Sequence, residues 1–106
     1  MANLATVDSD RIALLIDERL RTVIDPELGE NIVDLGLIYG IVVSPTGAVR
    51  VTMTTTMKGC PATAFLKEAV EACVRAVDGV SGVEIDLTYE PPWSPDLMAS
   101  TAAMRF

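Results

Sequence analysis

The chain has 106 residues, 15 acids against 8 bases for a formal charge of −7, two cysteines and no histidine. That length fits one domain able to bury roughly 65% of its unfolded surface, and the acidity repels phosphate backbones, which argues against nucleic acid as a partner. Without histidine there is no Ser-His or Cys-His nucleophile pair, and two cysteines cannot supply a Cys₄ or Cys₂His₂ zinc site.

Met1 to Asp8 lack the basic start and apolar run of a signal peptide, and the longest apolar stretch, Leu35 to Val43, contains two glycines and falls far short of the ~20 residues of a membrane span. The expectation is a soluble, cytoplasmic protein with no membrane partner. From Asp8 or Asp10 as N-cap, Ile12, Leu15, Ile16, Leu20, Val23 and Ile24 recur at three- and four-residue steps, predicting a first helix that ends at Asp25-Pro26. Asp25 to Gly36, with Pro26, Gly29 and Asn31, reads as an ordered loop whose Ile32, Val33 and Leu35 turn inward.

Ile38–Val43 and Ala48–Thr55 are β-branched runs either side of Ser44-Pro45-Thr46-Gly47, the pattern of an antiparallel hairpin. A second helix is predicted from Ala62, burying Phe65, Leu66, Ala69, Val70, Cys73, Val74 and Val77, with Glu71 and Arg75 paired on its wet side and Asp78-Gly79 closing it. Val83, Ile85, Leu87 and Tyr89 then alternate with Glu84, Asp86, Thr88 and Glu90, a half-buried strand. An extended tail, Pro91-Pro92-Trp93-Ser94-Pro95, follows, and the last ten residues are expected to fray. The order helix-strand-strand-helix-strand predicts a two-layer α/β (α+β) fold: a small mixed sheet with helices on one face, in a single domain with its core at about residues 10–98. A right-handed crossover makes the second and third strands parallel.

Cysteine carries the chemistry. Cys60-Pro61 stands between Val51-Thr52-Met53-Thr54-Thr55-Thr56 and the second helix; with Pro61 at the first helical position, Cys60 falls at or beside the N-cap. There a thiolate faces free N–H groups and the positive end of the helix dipole, which draws its pKa below the free value of about 8.5, and Lys58 adds to the effect. The alternative is a small buried residue filling the cap. Cys73, on the apolar stripe, reads as core. Thirteen helical residues set the two cysteines about 20 Å apart, beyond the roughly 7 Å that a disulfide tolerates.

Asp25, Glu27, Glu30 and Asp34 lack the register of an EF-hand, so solvated or capping roles fit them better than a metal site. Asp34 sits where loop becomes sheet, placed to bond backbone amides or to reach the cysteine pocket. Trp93, between prolines, reads as a hydrophobic lid or a partner-binding anchor.

Four fragments in order, Asp25-Pro26-Glu27, Asn31 to Tyr39 (Asn-Ile-Val-Asp-Leu-Gly-Leu-Ile-Tyr), Thr52 to Pro61 with Gly59-Cys60-Pro61, and Pro91 to Pro95, together resemble the SufT/PaaD-like domain family, which includes the eukaryotic cytosolic iron–sulfur targeting factors. The resemblance runs from about Ile12 to Met98. It implies a small α/β domain, a homodimer in many members, that is not an enzyme but assists iron–sulfur protein maturation. It implies transient binding of a cluster or iron through Cys60, shared across a dimer or with a client, and scaffold and client proteins as partners. The family's other motif positions fall on Asp25, Glu27, Asp34, Thr54, Thr56 and Trp93. No cysteine follows Trp93, where the phenylacetate-oxygenase members carry a cysteine-rich extension, and Leu97-Met98-Ala99-Ser100 departs from the family's more aromatic, charged ending. Two other readings stand beside this one: a non-catalytic adaptor for a multicomponent oxygenase or its maturation, contacting through Trp93 and the acidic loop, and a thiol redox protein with an external resolving thiol.

Overall fold

Three aliphatic side chains one helical turn apart, Ile12, Ile16 and Leu20, explain where the first helix lies: all are buried, and each contributes roughly 1.5–3 kcal/mol relative to exposure. The computed structural model describes residues 7–59 and 61–99. In it α1 spans Ser9–Leu20, and the Asp8 side chain accepts a hydrogen bond from the Arg11 N–H at 3.1 Å, so the predicted cap is formed. The helix ends earlier than its apolar run. Val23 stays buried, but Ile24, beyond the last turn, is 47% exposed and forms an isolated bridge with Asn31, because the helical period no longer governs it.

Strands β1 (Ile38–Val43) and β2 (Ala48–Met53) form the expected antiparallel hairpin, with Ile41 opposite Val51 and Val43 opposite Val49. β2 stops two residues before the predicted Thr55. The next amide, Thr54 N–H, instead donates to the Leu37 carbonyl at 2.9 Å, pulling the chain toward the loop before β1. After α2 (Thr63–Arg75), β3 (Gly82–Leu87) lies parallel to β2, in register from Ala48 opposite Gly82 to Met53 opposite Leu87. The sheet order is β1-β2-β3. A short 3₁₀ turn, Pro95–Leu97, completes the chain.

Val49, Val51 and Met53 of β2 point to the same side as Ile16 and Leu20 of α1 and Leu66, Val70 and Val74 of α2, and these join Ile32, Leu35 and Leu37 in one core. The other side of the sheet carries Arg50 and Glu84, cross-strand neighbours paired at 3.0 Å and exposed, so helices cover one face only. Two expectations about α2 are corrected. It starts at Thr63, with Ala62 as an N-cap lacking a side-chain bond, so Pro61 precedes the helix and position 60 is two residues before the cap. Phe65 is 56% exposed, because the buried stripe follows Leu66, Val70, Val74 and Val77 and Phe65 is one residue, about 100°, off it. Of the last ten residues, 97–99 are held rather than frayed, since the Ala99 N–H donates to the Asp34 carbonyl at 2.7 Å; residues 100–106 lie outside the described part.

Candidate functional site

Asp25 is buried. Its Oδ1 accepts the N–H groups of Glu27 at 2.7 Å and Leu28 at 3.2 Å, an Asx turn that folds the start of the loop. Its backbone N–H donates to the Glu30 carbonyl. Glu30 in turn accepts from Asn31, whose Nδ2 also donates to Asp34 Oδ2 at 2.9 Å. Asp34 Oδ1 pairs with Arg21 Nη1 at 2.6 Å, and Asp17 joins the same guanidinium at 3.3 Å. These carboxylates raise the Arg21 pKa against the opposing effect of desolvation. The acidic motif is therefore a bracing network between α1 and the loop. Among the described residues there is no group of three or more Cys, Asp or Glu side chains able to hold a metal ion.

Asp34-Leu35-Gly36-Leu37 is the hub of the motif positions. The Trp93 indole N–H donates to the Leu35 carbonyl at 2.6 Å, Thr54 N–H reaches Leu37, and Ala99 N–H reaches Asp34. Trp93 is half-buried against the core. The Tyr39 hydroxyl, donating to the Pro91 carbonyl at 2.7 Å, holds the tail at its other end.

From this hub the chain enters the β2–α2 loop, residues 54–62. Thr54 and Thr55 are buried, Thr56 is half-buried, and Met57, Lys58, Gly59 and Pro61 are exposed. The Thr55 hydroxyl donates its one proton to the Met57 carbonyl at 2.9 Å, so the bond at 2.8 Å to Tyr89 has the phenol as donor. The Lys58 ammonium lies 5.7 Å from the centre of the same ring. Tyr89 thus anchors the loop twice, a role its place in an alternating strand pattern does not signal. Gly59 has φ +73, a left-handed turn that glycine adopts without cost. Cys60 itself lies outside the described residues. Three residues on, Thr63 Oγ1 is shielded from solvent and has no hydrogen-bond partner among the described residues.

The other thiol is accounted for. Cys73 packs on the core from α2, where burial pushes its pKa up against the smaller opposing effects of a Thr22 hydrogen bond and the Arg19 charge. In the intact protein, Cys73 is expected to alkylate more slowly at pH 8 than a free thiol, and at the free rate in denaturant. Timed iodoacetamide labelling with peptide mapping checks this, and equal rates in both states would contradict the packing. A trough of about 540 Å³ lies at the far end of the sheet, lined by Val42, Ser44, Ala48, Val49, Arg50, Gly82, Val83 and Glu84. It is remote from the Thr54 end of β2 and holds no thiol.

One charge pattern emerges only around this loop. From Leu35 to Lys67 there is no Asp or Glu, while Arg50, Lys58 and Lys67 are present, so the hairpin and the cysteine loop form an acid-free region of an acidic chain. Met57, 61% exposed, and Phe65 are the large apolar side chains that this region offers to solvent nearest Cys60 in the chain.

The comparisons with known proteins point the same way. A family model described as iron–sulfur cluster assembly protein matches residues 15–87. A Porphyromonas gingivalis protein named Fe-S protein maturation auxiliary factor is 52% identical over 86 residues, covering 81% of this chain and 82% of that protein. The Staphylococcus aureus Fe-S protein maturation auxiliary factor SufT is 38% identical over 80 residues, 76% of this chain and 91% of its own. Among solved structures, a domain of unknown function from Bacillus anthracis superposes with a TM-score of 0.86 at 32% identity, covering 92% of each chain.

Proposed function

The chain belongs to the iron–sulfur cluster assembly protein family, and from that premise we propose that it is a non-catalytic accessory factor of the cytoplasm that delivers a cluster or iron to client proteins through Cys60. The cluster is cargo here, not a resident cofactor. The observation that carries the reading is the contrast between the two thiols. Cys73 is packed on the core with its pKa raised, whereas Cys60 belongs to a loop whose neighbours Lys58, Gly59 and Pro61 are solvent-facing and which contains no carboxylate.

The donor set fits transient binding. Iron–sulfur clusters are normally held by four thiolates, and this chain supplies one, so the remaining ligands come from the scaffold or client, a small thiol, or a second chain. A cluster held by borrowed ligands is released when the partner leaves. The loop's own residues contribute in three ways: Tyr89 and Thr55 fix its path, Lys58 places positive charge near a thiolate, and Thr63 brings a hydroxyl without a partner among the described residues into the first turn of α2. Of the remaining motif positions, Trp93 and Thr54 bind the 34–37 hub, Asp25 and Asp34 brace it, Glu27 donates its backbone N–H to Asp25, and Thr56 lies half-buried in the loop itself.

A docking role without cargo is the second reading, favoured by the exposure of Met57 and Phe65. Trp93, by contrast, is engaged by Leu35 and is less available as an anchor. Anaerobic reconstitution with iron and sulfide separates the two. The carrier reading expects bound iron and sulfide in the wild type and their loss in Cys60→Ala, measured by absorbance and chemical assay. No cluster in either protein would favour docking.

A further inference from the structure

In the order β1-β2-β3, strand β1 is an edge, and among the described residues no strand pairs with its outer side. Natural edges are usually guarded by charge, proline or a covering segment. The opposite edge strand, β3, has that protection in Glu84 and Asp86, both exposed. β1 reads Ile-Tyr-Gly-Ile-Val-Val, without charge or proline, inside a stretch from Leu35 to Val49 that has no charged residue at all. Its one irregularity is a bulge between Ile38 and Gly40, which leaves Gly40–Val43 as a regular, bare edge.

The strand also complements itself. Gly40 and Val42 pair with Thr52 and Arg50 and so share the open face, whereas Ile41 and Val43 pair with the buried Val51 and Val49 on the helix face. Val42 is 66% exposed, and a Cβ placed on Gly40 would meet nothing within 4 Å. The strand therefore presents a projecting valine and a hollow two residues apart on one face.

We infer that two copies of this chain pair through β1, antiparallel about a two-fold axis at Ile41, so that each Val42 sits opposite the other copy's Gly40 and the two sheets become one. In an antiparallel pair directly opposite residues share a face, and a register centred on Ile41 meets that condition across the regular stretch: Ile41 faces Ile41, and Gly40 faces Val42. Charge selects the same edge. Two chains of −7 repel wherever their carboxylates meet, and pairing through β3 would set Glu84 and Asp86 against their own copies, while β1 brings only neutral side chains together.

The pairing has a consequence for the cysteine reading, on which it otherwise does not rest. The loop after Met53 leaves the sheet at the Ile38 end of β1. Antiparallel pairing puts the two Ile38 ends about 20 Å apart along the strands and the two β2 strands roughly 14 Å apart across them. The loops then leave opposite ends of the joined sheet, so the two Cys60 residues serve separate cargo, each completed by a scaffold or client rather than by the other copy.

Sedimentation equilibrium of the wild type and Val42→Lys, with oxidative crosslinking of Ile41→Cys in a Cys60→Ser background, tests the arrangement. A wild-type dimer weakened on the order of tenfold or more by Val42→Lys, together with a disulfide-linked Ile41→Cys dimer, is expected. A wild type that stays monomeric to about 100 µM would overturn the proposal, as would a dimer unaffected by Val42→Lys. Should Val42→Lys fail to fold, the crosslink decides, and its absence counts against β1. None of these outcomes alters the expected loss of iron in Cys60→Ala, so failure of the pairing and failure of the carrier reading are read separately.

Discussion

Gly36→Ala is expected to lower stability by about 2–5 kcal/mol, a large share of what a domain of this size has. Gly36 has φ +79, where an L side chain costs about 1–3 kcal/mol. Its position also leaves no room: an added Cβ would collide with the Leu97 carbonyl and come within 2.8 Å of the Leu97 Cβ. Relief requires the 3₁₀ turn to lift, which strains the Ala99–Asp34 bond and the indole bond from Trp93 to Leu35. Gly29→Ala is the internal control. Gly29 also has positive φ, +70, but its Cβ would meet nothing within 4 Å, so that variant carries the conformational cost of about 1 kcal/mol without the collision. Urea unfolding of both variants, followed through the protein's one tryptophan, measures the difference. Equal losses in the two would mean that the tail does not bear on the 34–37 hub.

How much of this was legible beforehand depended on the range of the interaction. The stripe of α1, the Ser-Pro-Thr-Gly hairpin and the alternation of β3 are local patterns, and each element was found with its type correct. Asp25 as a capping carboxylate was local too, since an Asx turn closes within three residues. The failures came where periodicity stopped applying or where partners lay far apart. Ile24 was counted in the apolar period of the first helix and Phe65 in the buried stripe of the second, yet one follows the end of its helix and the other stands about 100° off its buried face. Asp34 was read as bonding backbone amides or reaching the cysteine pocket; its carboxylate meets Arg21, from α1, 13 residues back, a partner that no local pattern announces. Tyr89 and Thr55 are 34 residues apart, and no local pattern announces a bond between them. The adjacency of β2 and β3 depended in the same way on packing across the crossover.

The surface near the cysteine loop shows why the function was easier to read than the geometry. Gly59-Cys60-Pro61 is recognisable as a motif because its residues are contiguous. The anchoring of that loop by Tyr89 and the exposure of Met57 and Phe65 beside it emerge from the assembled fold, whereas the acid-free run from Leu35 to Lys67 is contiguous in the sequence. Lys58, Gly59 and Pro61, the described neighbours of Cys60, are solvent-facing, and Cys60→Ala removes the sulfur while keeping the β-carbon. A functional loss in Cys60→Ala therefore reports on thiol chemistry.

Cells in which the only copy of this protein is Cys60→Ala test the central claim most directly, by the activity and cluster content of iron–sulfur client enzymes at equal abundance of variant and wild type. Delivery through Cys60 predicts that both fall to the level of cells lacking the protein. Clients matured to wild-type levels by Cys60→Ala would contradict it.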